Sequence, residues 1–313
     1  MIVNIPTSQN MNNLALRLHF GAWADLLMME FQFDQVFDPD CEFDWTAERR
    51  EYLQYCQPEL QAIYTTIQQS NELALKARVC AVSPFLLLLN SAPALSTKGG
   101  DIDFATLRTL DATDLPAAVN SLCDRKVSDK FIQSYNQIRS YRNQIAHLGA
   151  TNKEFSSKEL LHLLIFQYHE LWPDRHWLQD RVEFAAQTTS AFFHDGRYGT
   201  AHAVAMDELE HTFEVLTNSE FKLLFQRQKT TRRYYCHSCV DEGTTKYASA
   251  RRESCKTAFL EPDGQSLCCI MCGTTFPVTR TNCPIKPCKG NVIAGAGDHE
   301  GICHTCGKAT ESD

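Results

Sequence analysis

Ten of the fourteen cysteines fall between residues 236 and 306, most of them in close pairs. "YYCHSC" holds Cys236 and Cys239, "CIMCG" holds Cys269 and Cys272, "CPIKPC" holds Cys283 and Cys288, and "CHTCG" holds Cys303 and Cys306. A closely spaced pair of thiolates can turn both sulfurs toward one ion, and two such pairs complete a tetrahedron with metal–sulfur arms of about 2.3 Å. The spacing predicts two structural Zn2+ ions per chain, one on Cys236, Cys239, Cys269 and Cys272 and one on Cys283, Cys288, Cys303 and Cys306. An interleaved pairing would use the same eight residues. Cys268 competes with Cys269, but only Cys269 keeps the two-residue gap to Cys272. Cys255 is left over, as a bystander or a replacement ligand, and His304 sits inside its own pair, where it is not expected to bind. With four sulfurs at each ion no position remains for water, so hydrolytic zinc chemistry is not expected. The glycine after Cys272 and the one after Cys306 permit the turn that aims backbone amides at the sulfurs.

A second constellation lies in "RSYRNQIAHLG", residues 139–149. At 100° per residue from Phe131, Tyr135 falls at about +40°, Ile138 at −20°, Ile145 at −40° and Ala146 at +60°. Arg142 falls at about +20°, in the middle of that apolar stripe. An unpaired guanidinium in a dry site costs several kcal/mol, so Arg142 must snorkel, meet a carboxylate, or line a cleft where phosphate is its partner. The chemistry suits the third case. A guanidinium can grip two phosphate oxygens. A histidine, with an ordinary pKa near 6.5, can move a proton near neutrality. Asn143 and His147 stand at i, i+4 and share a helix face.

The elements that must position these residues are helical. "ERREYLQYCQPELQAIYTTIQQ" (48–69) carries apolar residues at helical spacing, with a kink expected at Pro58. Asn71 could cap the following helix, which should break before Pro84. A loop is expected at 96–104, with short helical pieces around 104–110 and 115–123. Ser128 is a candidate N-cap, Asp129 a first-turn acid and Gly149 a C-terminal stop. "SSKE" (156–159) resembles a capping box for "KELLHLLIFQYHELW", and two further helices are expected near 180–194 and 199–216. Before residue 230 there is no internal repeat and no alternating β pattern. The pattern predicts an all-α bundle over 1–217, a basic and aromatic linker over 218–235, and a small β-rich domain over 236–313, whose paired cysteines resemble tandem zinc ribbons, a class that binds nucleic acid or protein. The isolated Cys41, Cys56, Cys80 and Cys123 read as small buried hydrophobes.

The run Arg142-Asn143-x-x-Ala146-His147 on a long helix of an all-α domain resembles the signature of the HEPN superfamily, α-helical bundles that include many metal-independent ribonucleases. The resemblance spans about residues 10–215 as a bundle, but its specific part is this one helix. It implies an endoribonuclease with Arg142, Asn143 and His147 as catalytic residues and no catalytic cofactor. RNA would be cut by its own 2′-hydroxyl, leaving a 2′,3′-cyclic phosphate and a 5′-hydroxyl. In an ideal helix Arg142 and His147 lie about 140° apart. Family members answer this by pairing two protomers around a shared cleft, which implies a homodimer or higher oligomer, and Arg139 and Tyr141 are candidates to line that cleft. Similar proteins act as toxins, antiviral defence effectors or RNA-processing factors, some with a protein antagonist or activator.

Composition limits the alternatives. The net charge is −8, with 30 Lys and Arg against 38 Asp and Glu. Residues 230–313 carry ten basic and nine acidic residues, so the first 229 hold 20 against 29 and are the acidic part. Acidity does not favour nucleic-acid binding. The local exception is "FKLLFQRQKTTRRYY" (221–235), where Arg227, Lys229, Arg232 and Arg233 stand among aromatics and are candidate RNA contacts. No basic segment leads into an apolar run at the N-terminus, and the most apolar stretch, 81–90, is too short for a membrane span. With this many cysteines in metal-like pairs, the expectation is a cytoplasmic protein. A non-catalytic dimeric module that binds RNA or protein is the alternative reading.

Overall fold

The computed structural model describes residues 1–38, 42–89, 100–149 and 152–310. Cys41 and the 96–99 part of the expected loop lie outside the described residues. The chain forms two compact units, Met1–Pro173 and Asp174–Asp313.

The first unit is an α-bundle. Helix α1 (Ser8–Val36) starts at Thr7, whose side chain accepts from the Asn10 amide. Helices α2 (Thr46–Tyr55) and α3 (Gln57–Val82) meet at Cys56. Pro58 therefore does not kink one long helix. It sits in the first turn of a new one, where the missing N–H is no loss. Helix α3 then runs unbroken through Asn71, which is buried in its interior and caps nothing. It ends at Ser83, before Pro84, as the restricted backbone ahead of proline requires. A short helix α4 (Leu115–Leu122), then α5 (Asp129–Leu148) and α6 (Ser157–Leu171), complete the unit. Ser156 is the N-cap of α6 but makes no side-chain cap bond. The next hydroxyl, Ser157, turns inward onto Glu30 of α1. A parallel pairing of β1 (Ile2–Val3) with β2 (Ile102–Asp103) is a small β element the sequence pattern did not reveal.

Side-chain bonds fix the direction of each helix. Cys80 and Ser70 of α3 reach Pro6 and Ala15, so α1 and α3 are antiparallel. Trp172 at the end of α6 bonds Asn12 at the start of α1. Ser128 at the start of α5 bonds Glu170 at the end of α6, at 2.8 Å. The core between them holds Trp23, Leu26, Leu60, Ile67, Leu75, Phe131, Leu161 and Ile165, all buried, each contributing roughly 1.5–3 kcal/mol. At its edge Arg49 clamps Glu30 (2.7 Å) and Asp34 (2.8 Å), with its guanidinium 4.4 Å from the Phe33 ring centre.

In the second unit the chain differs from the expected domain plan. Helices α7 (Trp177–Ala186), α8 (Ala201–Asp207), α9 (Leu209–Val215) and α10 (Asn218–Phe225) belong with the cysteine-rich segment, so the division lies at 173/174 rather than at 217. The segment 218–235 is not a linker. It opens with a capping box, Thr217 with Glu220, and contributes α10 and the first strand of a sheet. That antiparallel sheet runs β3 (Arg233–Tyr234), β4 (Ala258–Leu260), β5 (Ser266–Cys269), β6 (Thr275–Thr279), β7 (Ile293–Ala294). Strands of two to five residues bury little surface alone. Phe221 of α10 packs 6.2 Å from Phe259 of β4, and Met206 of α8 accepts weakly from Cys255, so the helices supply the missing apolar cover. The change in cysteine density marks where the metal ligands begin, not where the fold divides. Helix α11 (His237–Gly243) follows β3 directly.

The first unit also buries polar side chains. His19 of α1 is fully enclosed by Phe20 (5.2 Å), Trp172 (5.4 Å) and Tyr168 (5.7 Å), and neither ring nitrogen has a hydrogen-bond partner among the described residues. Burial pushes its pKa down to about 3, so the ring is neutral. Below pH 6.5 the unfolded chain takes up a proton that the folded chain refuses. The stability of neutral His19 is therefore complete above pH 6.5 and is lost as the pH falls toward 3. By pH 5 the loss should be about 2 kcal/mol. Urea unfolding of wild type and His19→Phe at pH 7.5 and pH 5 should show that extra loss in wild type alone; equal losses would show that His19 is not held neutral.

Candidate functional site

The cysteine pairs come together as two separate groups, Cys236/Cys239/Cys269/Cys272 and Cys283/Cys288/Cys303/Cys306, with all sulfurs of a group within 4.8 Å of one another. The pairing is successive, not interleaved. Nearest sulfurs stand at 3.7 Å (Cys236–Cys272 and Cys239–Cys269), 3.8 Å (Cys283–Cys306) and 3.9 Å (Cys288–Cys303). A tetrahedron with arms of about 2.3 Å has edges of about 3.8 Å, whereas a disulfide needs about 2.05 Å. Both groups thus have the size and donor set for a tetrahedral thiophilic ion such as Zn2+.

Local geometry explains which sulfurs are chosen. Side chains alternate across β5, so Leu267 and Cys269 share the buried face while Cys268 faces the other way, half-exposed. Cys255 is buried against the Met206 carbonyl and belongs to neither group. Gly273 and Gly307 take φ of +72° and +71° and close their turns onto Cys269 and Cys303. The amides of Met271, Gly290 and Thr305 point at the sulfurs of Cys269, Cys288 and Cys303, at 3.2–3.4 Å.

The two groups are tied by a feature that residue spacing did not reveal. His237, next to Cys236, stacks on His304, next to Cys303, with ring centres 4.4 Å apart at 24°. The Tyr235 amide donates to the His304 carbonyl, and His304 Nδ1 donates to the Tyr235 carbonyl at 2.8 Å. Burial, aided by the imidazoles of His304 and His299, pushes the pKa of His237 down to about 3, and burial also lowers that of His304. Both rings are neutral, so the stack brings no charge between the sulfur groups. His304 serves as a strut and is no ligand.

On α5 the expected boundaries hold. Ser128 accepts from the Phe131 amide (3.1 Å), and Gly149 ends the helix at φ +74°. The apolar stripe divides along its length. Phe131, Tyr135 and Ile138 are buried, whereas Ile145 is half-buried and Ala146 and Leu148 are exposed. Arg142 lies where the stripe leaves the core. It is half-buried and donates from Nη1 to Asn143 Oδ1 at 3.2 Å. His147 stands exposed in the last turn, and among the described residues no hydrogen bond joins it to Arg142 or Asn143. Tyr141 does not face open space. It packs edge-on to Tyr64 (6.2 Å) and Phe155 (6.3 Å). Arg139 is half-buried, its Nε enclosed without a hydrogen-bond partner among the described residues. A cavity of about 440 Å3 in this unit is lined by Arg49, Arg50, Gln57 and Glu159, and by none of Arg142, Asn143 or His147.

The basic run at 221–235 is largely engaged within the second unit. Arg227 pairs with Glu261. Lys229 donates to the Leu216 carbonyl (2.7 Å) just past α9, a common position for a cation. Arg233 is half-buried 4.6 Å over the Phe213 ring, where burial lowers its pKa. Of the four candidate RNA contacts only Arg232 remains exposed, stacked 5.3 Å over Tyr234. Sequence proximity grouped these cations, but the sheet and helices turn them to different uses.

No protein-family model, curated protein or solved structure matches this chain. Among the described residues no helix is long and apolar enough to cross a membrane. The geometry of the sulfur groups predicts two metal ions per chain by elemental analysis. Cys239→Ser and Cys303→Ser should each lose one ion, and Cys255→Ser and Cys268→Ser neither. Retention of both ions by Cys239→Ser would overturn the assignment.

Proposed function

We propose that this chain is a metal-independent endoribonuclease of the HEPN type that works as a homodimer, with two structural Zn2+ ions holding its second unit. The observation that carries the reading is the position of Arg142, half-buried where the α5 stripe leaves the core, with Asn143 at its guanidinium and His147 exposed in the same stretch. A guanidinium so placed has an apolar wall behind it and open space ahead, the setting in which it can grip a phosphodiester.

In the proposed reaction the 2′-oxygen of the RNA attacks the adjacent phosphorus as the bond to the 5′-oxygen breaks. His147 takes the 2′-hydroxyl proton or supplies one to the departing 5′-oxygen, and Arg142 stabilises the charge gathering on the non-bridging oxygens. The products are a 2′,3′-cyclic phosphate and a 5′-hydroxyl. Asn143 holds the Arg142 guanidinium in place. Arg142 and His147 project about 140° apart on one helix, so one chain alone does not aim both at one phosphate. A second copy of α5 packed on Ile145, Ala146 and Leu148 would bring a second motif to the same cleft, and the 76% exposure of Leu148 supports such a contact. Zinc closed off by four sulfurs has no catalytic share. A role in defence or as a toxin follows by analogy with similar HEPN proteins.

The second reading, a non-catalytic module that binds RNA or protein, is favoured by the acidity of the first 229 residues, 20 basic against 29 acidic. The deciding measurement is cleavage of total RNA without added divalent metal by wild type, R142A and H147A. Wild type should leave cyclic-phosphate ends, and each variant should be slower by about 100-fold or more. Intact RNA after incubation with folded wild type would favour the second reading. Leu148→Glu should shift the protein toward monomer in sedimentation and lower cleavage with it; an unchanged dimer would move the interface elsewhere.

A further inference from the structure

We propose that the second unit captures single-stranded RNA on a platform formed by Tyr198 and Tyr247, with Arg197 and Lys246 as its phosphate contacts. The choice of RNA as ligand rests on the ribonuclease reading above; the platform itself rests on the following geometry.

Two tight turns present two similar dipeptides, Arg197-Tyr198 and Lys246-Tyr247, side by side. In the first, the Asp195 carboxylate accepts from the amides of Arg197 (2.8 Å) and Tyr198 (3.2 Å), and Gly196 takes φ +74°. In the second, Thr245 and Ala248 close a turn through the Thr245 amide (2.8 Å) and the Thr245 hydroxyl (3.1 Å). The Lys246 amide donates to the Arg197 carbonyl (3.0 Å), and Thr200 and His202 hold the Glu242 carbonyl and carboxylate, each at 2.8 Å. These bonds lock the turns together, so the rings are ordered before any ligand arrives.

The rings stack at 5.1 Å and 25°, yet Tyr198 is 72% and Tyr247 64% exposed, so most of the surface of each is open to water. Phe192 and Phe193, on the loop leading to Arg197, are more exposed still. Among the described residues, every aromatic side chain of this unit exposed by more than half lies on these two segments. Exposing large rings is unfavourable, and their gathering at one place marks a contact surface. Charge selects the partner. Arg197 and Lys246 are both exposed and precede the two tyrosines directly in the chain, and the Lys246 ammonium lies 5.4 Å over the Tyr247 ring. The nearby carboxylates are engaged, Asp195 by its own turn and Glu242 by His202. Open aromatic faces flanked by cations suit unpaired bases on a phosphate backbone, since every base offers a face and stacking tolerates any sequence. Duplex RNA hides its base faces and would not be held this way.

The test uses full-length zinc-loaded protein carrying H147A, so that RNA stays intact, and reads binding of labelled U12 by fluorescence anisotropy. Y198A/Y247A should raise Kd about 10-fold or more, and Y198F/Y247F should stay within about twofold of the parent. R197A/K246A should flatten the salt dependence of log K by about 1.4, the loss of two single-strand phosphate contacts. A 12-base-pair duplex should bind more weakly than U12. Binding by Y198A/Y247A equal to the parent, with both metal ions retained, overturns the platform, as does a parent that binds no RNA. If platform-dependent binding is seen but wild type cleaves nothing, the nuclease reading fails and the platform stands.

Discussion

Four thiols packed edge to edge, at 3.7–3.9 Å, are the constraint on which the second unit depends. Ionised thiolates at that spacing repel one another, and a cation at their centre would convert the repulsion into bonding, which would couple folding to metal binding. Only Cys269 of the eight sits on a strand, and strands of two to five residues are too short to hold their own register. Hydrogen bonds between Tyr235 and His304 and the stacked neutral imidazoles of His237 and His304 tie the segment together, and an ion in each sulfur group would add to that. The helices 177–225 add apolar cover through Met206 and Phe221, which is why the unit begins near residue 174, long before its first ligand.

The first unit is governed by ordinary helix packing, and its unusual feature is where that packing stops. Helix α5 is anchored through Phe131, Tyr135 and Ile138, and its last turns carry a half-buried arginine out of the core. A guanidinium can remain there because Asn143 satisfies one donor while the rest of its donor fork stays near solvent. An arginine fully inside would need a buried carboxylate, as Arg49 has in Glu30, and one fully outside would have no apolar wall to exclude water from a bound phosphate. The intermediate position is what the proposed phosphate grip would use, and the exposed apolar turn beside it is where the proposed second copy would pack.

Charge tells a related story on the second unit. The junction cations that look available in the linear chain are engaged by Glu261, by the carbonyl end of α9 and by the Phe213 ring. Cations that look unremarkable in the chain, Arg197 and Lys246, are exposed next to stacked tyrosines because two distant turns are hydrogen-bonded together.

Features set within a few residues are legible in the order of the amino acids. The N-cap at Ser128 and the left-handed Gly149 bound α5 because a hydroxyl and a glycine act on the adjacent backbone. Four closely spaced cysteine pairs become two sulfur groups because short spacing already brings each pair to one point. The tertiary structure decided what depends on distant partners. Pro58 starts a helix because α2 can end at Cys56, Asn71 is buried in the core and caps nothing, and Ser156 makes no cap bond while Ser157 beside it turns onto Glu30 of α1. Tyr141 is packed by Tyr64 and Phe155, which lie far away in the chain. The domain division followed the apolar faces of α7 to α10, whose periodicity shows that they bury something and not which neighbour they bury it against. Periodicity and spacing encode local geometry, whereas the choice of partner is settled only when separated segments compete for the same core.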